Sequence, residues 1–252
     1  MTGLAERPVL VTGAASGIGE ATAMRLAREG AAVALVDRDA ERLAALKDSL
    51  AGKGGRVLAL PGDVGDEGAV QAAIDATVRA FGGLRGIVTS AGIFDPGDMQ
   101  PLAGVDLAAF ERTLRVNLIG TFLYAKYALP HLVAQGGAIV TIASTAGIRG
   151  HGFGSGYTAS KGGVVALTRL LAEQYGPQQV RANCICPGAT DTPMTGGAFR
   201  EGEMAERTKR GIPLHRIAQP HAIGDVACFL LSDDASYVNG QVFAVDGGAT
   251  VR

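Results

Sequence analysis

The chain has 252 residues, a formal net charge of −1, 47% hydrophobic residues and 37 glycines. This composition suits one α/β domain over residues 1–252, and the near-zero charge argues against nucleic acid or an anionic membrane as a partner. No apolar run reaches the roughly 18 residues of a membrane span and no leader segment is recognisable, which predicts a cytoplasmic protein. The three cysteines lie in apolar stretches and the four histidines are dispersed, so we expect reduced thiols and no metal site.

The first predicted unit is a strand, a glycine turn and a helix. The apolar run 8–12 enters a turn with the spacing G-x-x-x-G-x-G, and a helix is predicted over 21–28. Glycines let backbone amides approach a pyrophosphate, and the helix N-terminus adds unpaired N–H donors. The turn therefore predicts a dinucleotide site. Its candidate contacts are Gly13, Ser16, Gly17, Ile18 and Gly19.

The second predicted strand, 32–36, ends at Asp37, about 20 residues past the glycine turn. An acidic side chain there can bind the adenosine ribose hydroxyls, and it would repel the 2′-phosphate of NADP. Arg38 is a counter-signal, because an arginine can hold that phosphate. The balance favours NAD as the cofactor.

A helix and a strand over 56–60 lead to a second turn. Asp63 in this turn is a candidate adenine contact, with a turn or helix-capping aspartate as the nearly equal alternative. A helix over 70–81 and a strand over 86–90 follow, and a long helix is predicted from about residue 106 to 133. That helix places Asn117 in an apolar stripe, where a buried amide must be satisfied.

The stretch from Ser144 to Lys161 carries the chemistry. Tyr157 and Lys161 are four residues apart in a predicted helix, which places both on one face. A free phenol has a pKa near ~10, so a proton-exchanging tyrosine needs a nearby cation to lower it. Ser144, which ends the apolar run 138–143, can hydrogen-bond the same substrate oxygen. The Tyr–Lys spacing alone is weak evidence, because it is far more often that of an ordinary amphipathic helix.

The glycine turn after Thr12, taken together with Ser144, Tyr157 and Lys161, resembles the short-chain dehydrogenase/reductase family over nearly the whole chain. With the strand and helix alternation, this implies a doubly wound parallel sheet of about seven strands with helices on both faces, of the Rossmann-like kind. The resemblance also implies that Asn117 is a fourth active-site residue, which holds a water that links Lys161 to solvent.

The resemblance implies further cofactor contacts along the chain. Tyr157 and Lys161 lie at the nicotinamide ribose, and a segment after the strand 180–185 holds the carboxamide. The remaining implied contacts are Asp63, Val64, Ala91, Gly92, Pro187, Gly188, Thr190 and Thr192. One departure is visible, because Thr89-Ser90 stands where the family usually has Asn-Asn. We expect the short hydroxyls to replace the amide contacts.

The C-terminal third holds the segments that would meet the substrate. Residues 189–215 are polar with isolated apolar groups, which predicts a lid, with an ordinary surface helix as the alternative. A helix over 222–231 and an edge strand within 240–248 complete the chain. Arg149, His151 and Phe153 are candidate substrate contacts in a glycine-rich loop.

The sequence thus predicts an NAD-dependent oxidoreductase that interconverts a secondary alcohol and a ketone. Tyr157 would act as the general acid/base, Lys161 would stabilise its phenolate, and Ser144 would orient the substrate oxygen. An NADPH-dependent 3-oxoacyl-thioester reductase and a non-catalytic dinucleotide sensor or scaffold are the alternatives. The family resemblance implies a homotetramer built partly on the 106–133 helix and the Tyr157 helix.

Overall fold

A seven-stranded parallel sheet organises the part of the chain that the computed structural model describes, residues 1–150 and 154–251. The strand order is β3-β2-β1-β4-β5-β6-β7, and every neighbouring pair is parallel. The order therefore reverses between β1 and β4, where open sheets of this kind bind ligands. The strands are β1 (Pro8–Thr12), β2 (Ala32–Asp37), β3 (Val57–Pro61), β4 (Gly86–Thr89), β5 (Ala138–Ile142), β6 (Arg181–Pro187) and β7 (Val242–Val245).

Helices connect the strands and cover the sheet. They are α1 (Gly17–Arg28), α2 (Ala40–Ala51), α3 (Glu67–Phe81), α4 (Leu107–Leu114), α5 (Gly120–Gln135), α6 (Ala146–Arg149), α7 (Ser155–Tyr175), α8 (Glu203–Gly211) and α9 (Pro220–Leu231). Short 3₁₀ turns lie at Pro96–Asp98, Leu102–Gly104, Gly176–Gln178, Pro193–Thr195 and Asp233–Ala235. Within the described ranges, no helix combines the length and apolarity that a bilayer span needs.

The two faces of the sheet bury separate apolar cores. Val9 and Val11 of β1 pack with α1, α2 and α9 on one face, whereas Leu10 packs with α3, α5 and α7 on the other. This alternation follows from the period of two in a strand. Because both faces are covered, the strands read as continuous apolar runs. The predicted doubly wound sheet is confirmed.

Two helices differ most from their predicted bounds. α1 begins at Gly17 instead of residue 21, because Ser16 has extended backbone angles and the two glycines already belong to the first turn. The predicted helix 106–133 is interrupted by a π-helical turn at Arg115–Ile119, which separates α4 from α5. Such a turn inserts one extra residue into an otherwise continuous helix, and a count of apolar positions at spacings of three and four does not distinguish it from an ordinary helix.

Candidate active site

The glycine turn lies against two segments, the residues that follow β4 and the residues that follow β6. A Cβ at Gly13 would lie 2.8 Å from the backbone of Ala91, and a Cβ at Gly19 would lie 2.0 Å from the Gly13 carbonyl. A Cβ at Gly17 would meet the Thr192 side chain at 3.3 Å. The turn therefore borders one cleft with residues 91–92 and the start of the predicted lid.

The start of α1 is left open to a ligand. Ser16 is the N-cap residue, but its side chain makes no capping hydrogen bond. The first-turn N–H groups and the positive end of the helix dipole suit an anion. Because glycines also clear side chains from the turn, the residues present fit the pyrophosphate of a dinucleotide.

Asp37 is fixed beside this turn by its own hydrogen bonds. One carboxylate oxygen accepts from the Ala15 amide and the other from the Asp39 amide, both at 3.0 Å. Arg38 is exposed. The carboxylate thus lies where β2 ends next to the glycine turn, which fits a contact with the adenosine ribose.

Asp63 has a visible structural role in its turn. Its carboxylate accepts from the Gly65 amide at 2.8 Å, whereas Asp66 caps α3 by accepting from Ala69 at 2.8 Å. Val64 is buried, and a Cβ at Gly120 would lie 2.8 Å from its side chain. The helix-capping alternative therefore belongs to Asp66, and the adenine contacts of Asp63 and Val64 stay predictions.

Three side chains meet where β5 ends and α7 begins. The Ser144 hydroxyl is hydrogen-bonded to the Tyr157 phenol and accepts from the Ala146 amide at 3.1 Å. The Lys161 Nζ lies 5.7 Å from the Tyr157 ring centroid and donates to the Ile142 carbonyl at 2.9 Å. The residues that the sequence singles out are therefore brought together.

The electrostatics of this group are dominated by burial. Burial raises the pKa of the Tyr157 phenol above its ordinary value, against the hydrogen bond from Ser144, which lowers it. Burial also lowers the pKa of Lys161 to about 8, although Cys184 and Cys186 act in the opposite direction. The protein's own groups therefore leave the pKa of the Tyr157 phenol raised, and the lowering that the sequence predicts would need the positive nicotinamide ring as well as Lys161.

Asn117 lies in the π-helical turn with its amide fully used. The amide nitrogen donates to the Ile93 carbonyl and to the Ser160 hydroxyl at 3.1 Å each, and the amide oxygen accepts from the Ile93 amide at 2.8 Å. A Cβ at Gly92 would lie 3.3 Å from that oxygen and 3.6 Å from the Lys161 Nζ. Asn117 therefore frames Lys161, and its role in a proton relay stays a prediction.

Thr89 and Ser90 lie at the end of β4, beside Thr12 of β1. The Thr12 hydroxyl accepts from the amides of Ser90 and Ala91, both at 3.1 Å, so Thr12 fixes this strand end. The Thr89 hydroxyl is buried and has no hydrogen-bond partner among the described residues. The expectation that the two hydroxyls replace the usual amide contacts stays a prediction.

The segment after β6 continues around the cleft. Pro187 ends the strand, a Cβ at Gly188 would lie 2.7 Å from the Asp246 side chain, and the Thr190 hydroxyl donates to the Gly188 carbonyl at 3.1 Å. Of the predicted substrate contacts, Arg149 donates to the Ala249 carbonyl at 2.7 Å. The other two, His151 and Phe153, lie outside the described residues.

Two contacts of Tyr157 were not found from the sequence. The Phe94 ring meets the Tyr157 ring edge-on, with centroids 5.3 Å apart and an interplanar angle of 84°. The amide of Tyr157 donates to the Asp98 carboxylate, which is distant in sequence. No local pattern signals either contact, since Asp95-Pro-Gly-Asp98 reads as an ordinary turn.

The fold and this cleft define a dinucleotide-dependent oxidoreductase. A family model described as enoyl-(acyl carrier protein) reductase matches residues 13–250. The chain is 41% identical over 256 residues to levodione reductase of Leifsonia aquatica, covering 98% of this chain and 95% of that protein. A crystal structure of levodione reductase matches with a TM-score of 0.93, covering 98% of each chain.

Two further relatives are dehydrogenases. Identity to cis-4-hydroxycyclohexanecarboxylate dehydrogenase of Sinomonas cyclohexanicum is 43% over 252 residues, 98% of this chain and 97% of that protein. Identity to cyclohexanol dehydrogenase of Acinetobacter sp. (strain SE19) is 36% over 244 residues, 96% and 94% of the two chains. The chain belongs to the short-chain dehydrogenase/reductase family. This confirms the predicted class, an oxidoreductase that interconverts a secondary alcohol and a ketone with a nicotinamide dinucleotide.

Proposed function

We propose that this enzyme uses NAD to oxidise a cyclic secondary alcohol reversibly, with Tyr157 as the general acid/base. The observation that carries the proposal is the meeting of Ser144, Tyr157 and Lys161 in one cleft with the glycine turn. When bound, the nicotinamide supplies or accepts the hydride. The protein contributes orientation, proton transfer and the exclusion of water.

Proton transfer falls to Tyr157. In oxidation its phenolate oxygen takes the proton of the substrate hydroxyl, and in reduction the phenol returns that proton to the carbonyl oxygen. The Ser144 hydroxyl is hydrogen-bonded to the phenol, and with substrate bound its single proton would turn to the same substrate oxygen and stabilise its developing charge. The positive charge of an oxidised nicotinamide ring would offset the raised pKa of the Tyr157 phenol.

Lys161 and Asn117 do not transfer the proton themselves but assist this step. With a pKa of about 8, Lys161 is mainly an ammonium at neutral pH, so it favours the phenolate and can donate to the nicotinamide ribose. Asn117 holds Ile93 and Ser160 in place around it. That fixed frame supports the predicted relay between Lys161 and solvent.

NAD is favoured over NADP by Asp37. Its carboxylate is held at the end of β2 by two amides, so it cannot swing away from a 2′-phosphate without losing those bonds. Two unit charges about 4 Å apart repel by several kcal/mol at an effective dielectric near 20. Arg38, which could compensate, has an exposed side chain.

A cyclic substrate is supported by the relatives. Two of them are named for a cyclohexanol and for a hydroxycyclohexanecarboxylate, at 36% and 43% identity over nearly the full chain. The edge-on Phe94 gives the phenol an apolar neighbour, which suits a hydrocarbon ring in the adjoining space.

The test is a comparison of cofactors and alcohols. Binding of NAD and NADP is titrated first, and turnover of cyclohexanol, cis-4-hydroxycyclohexanecarboxylate and an open-chain secondary alcohol is then followed by absorbance of the reduced cofactor. NAD selectivity with preferential turnover of a ring alcohol supports the proposal. Strong NADPH preference with turnover of a 3-oxoacyl thioester would establish the alternative reductase, and tight NAD binding without turnover would favour a sensor.

We further propose that segment 189–215 closes over the substrate as a lid. Thr192 lies against Gly17, and the tip of Met194 would lie 3.7 Å from a Cβ at Gly92, so this segment already spans the cleft. Ile212 is buried at its far end while Met204 is exposed. Hydrogen exchange tests this, because amides of 192–211 should gain protection when NAD and substrate bind.

A homotetramer is supported by an apolar groove between α5 and α7. The groove has a volume of about 410 Å³, and Phe122 and Leu170 on its walls are 46% and 49% exposed. Exposed apolar patches of this kind mark interfaces. Light scattering should give four times the chain mass, and Leu170→Glu should reduce it. Leu102→Glu, at an exposed apolar residue outside the groove, is the matched control.

A further inference from the structure

A buried carboxylate holds the start of the helix that carries the phenol. Asp98 is 1% exposed, and its two oxygens accept from the amides of Gly156 and Tyr157 at 2.6 and 2.7 Å. Hydrogen bonds to a charged acceptor are roughly twice as strong as neutral ones. The hydrogen bond from the Tyr157 amide therefore fixes the backbone of the proposed acid/base itself.

The helix has no cap of its own. α7 is 21 residues long, its N-cap residue is Gly154, and no side chain at that position caps it. Four first-turn N–H groups of any helix lack partners within the helix, and a negative charge is favoured at this end. Asp98 supplies both the acceptors and the charge from the loop after β4, 58 residues away from Gly156.

The space beside the Asp98 carboxylate at Gly154 and Gly156 is too small for any side chain. A Cβ at Gly154 would lie 2.5 Å from an Asp98 oxygen, and a Cβ at Gly156 would lie 3.1 and 3.2 Å from the two oxygens. The loop is anchored in turn, since Asp95 caps the 3₁₀ turn Pro96–Asp98 and pairs with Arg112 of α4 at 3.0 Å. The carboxylate is thus tightly enclosed and rigidly supported.

We propose that Asp98 is a positioning residue for the acid/base, setting the depth at which the Tyr157 phenol meets Ser144. The inference rests on the proposed function of Tyr157. Asp98 touches neither substrate nor cofactor in this role. It acts through the backbone of Tyr157, whose ring is held from the side by Phe94 from the same loop. A misplacement of about 1 Å at the reacting atom is enough to cost up to a hundredfold in rate.

The experiment is a double-mutant cycle of Asp98→Asn and Tyr157→Phe. The asparagine keeps the shape but loses the charge and one acceptor. We expect kcat to fall by about tenfold to a hundredfold, with the Kd for NAD changed less than about twofold. In the Tyr157→Phe background the same substitution should change the residual rate less than about twofold, because residues that act as a unit are not additive.

If Asp98 only stabilised the fold, Asp98→Asn would change kcat and the Kd for NAD in a different way. General loosening of the site would weaken NAD binding or lower the rate by the same factor in both backgrounds, and either result overturns the inference. Unchanged kcat in Asp98→Asn also overturns it, with the proposed function intact. Full turnover by Tyr157→Phe would overturn both, because the acid/base would then lie elsewhere.

A second variant covers the case in which Asp98→Asn does not fold. Gly156→Ala keeps the carboxylate but places a Cβ against both of its oxygens, so it should lower kcat with NAD binding retained. Asp106→Asn is the matched control, since Asp106 is an exposed cap of α4 that accepts from Ala108 at 3.2 Å. Its kcat should stay within about twofold of the parent. Unchanged kcat in Gly156→Ala would overturn the inference.

Discussion

Helices α1 and α7 begin in opposite ways. α1 starts at a glycine turn where no side chain caps the first amides, whereas the first amides of α7 are taken by the buried Asp98 carboxylate. Both helix N-termini carry first-turn N–H groups that have no partner within the helix, and both carry the positive end of the helix dipole. The first offers them to an anionic ligand, and the second uses them to fix a side chain in place.

The comparison shows how one backbone property serves binding and positioning in one cleft. A free helix end binds whatever anion enters, so its affinity depends on glycines that clear the approach. An end closed by the protein binds nothing but gains rigidity. Substitutions at α1 should therefore affect cofactor affinity, and substitutions at α7 should affect the rate.

The largest expected effect is on the α7 side. Tyr157→Phe removes the proton-transferring oxygen while the ring stays edge-on to Phe94, so kcat should fall about a thousandfold with NAD affinity nearly unchanged. Steady-state kinetics and cofactor titration measure the two quantities. Tyr124→Phe, at a buried tyrosine of α5, is the control and should retain activity. A comparable loss of NAD affinity in Tyr157→Phe would contradict the assignment of cofactor affinity to α1 and of rate to α7.

The next effect is on the α1 side. Gly19→Ala would place a Cβ 2.0 Å from the Gly13 carbonyl, which forces the turn to move. We expect the Kd for NAD to rise about a hundredfold, because the amides no longer converge on the pyrophosphate. In Gly104→Ala the nearest atom would be 3.7 Å away, so this variant should bind normally. Undiminished affinity in Gly19→Ala would show that the turn does not hold the cofactor.

A smaller effect separates charge from structure at Asp37. Asp37→Asn removes the charge that opposes a 2′-phosphate, so the ratio of NAD to NADP affinity should fall about tenfold, mainly through tighter NADP binding. If the carboxylate only holds the turn through Ala15, both affinities should weaken together. Calorimetric titration of both cofactors distinguishes the two results. Asp39→Asn, which loses a charge at the α2 N-cap, is the control.

The smallest effect is a pH dependence that links α7 to binding. Lys161 has a pKa lowered by burial to about 8, so raising the pH through that value removes its charge. NAD affinity should fall several-fold from about pH 7 to about pH 9.5, since the neutral amine interacts more weakly with the cofactor. Lys161→Met should flatten this profile, and Lys126→Met, at an exposed lysine paired with Glu67, should not. A flat parent profile would remove Lys161 from cofactor binding.

Periodicity and spacing predicted most of the architecture. Apolar runs such as 8–12 and 138–143 are strands because buried parallel strands need apolar side chains on both faces. The glycine turn, together with Ser144, Tyr157 and Lys161, carried the resemblance to the family, and that resemblance implied the class of reaction. The start of α1 and the π-helical turn at Asn117 were missed, because the first lies in the glycine turn and the second inserts one residue into a helix that reads as continuous.

The sequence by itself determined the sheet, the oxidoreductase class and the three side chains that meet at the cleft. The sheet and the shared helix face of Tyr157 and Lys161 depend on local periods and short spacings along the chain, and the class follows from the family resemblance that these motifs carry. Only the tertiary structure decided that Thr12 satisfies the amides after β4, that burial raises the pKa of the Tyr157 phenol, and that Asp98 fixes the start of α7. The contacts of Thr12 and Asp98 join segments far apart in sequence, and the pKa of Tyr157 depends on the exclusion of water. Long-range contacts and burial leave no local pattern in a sequence.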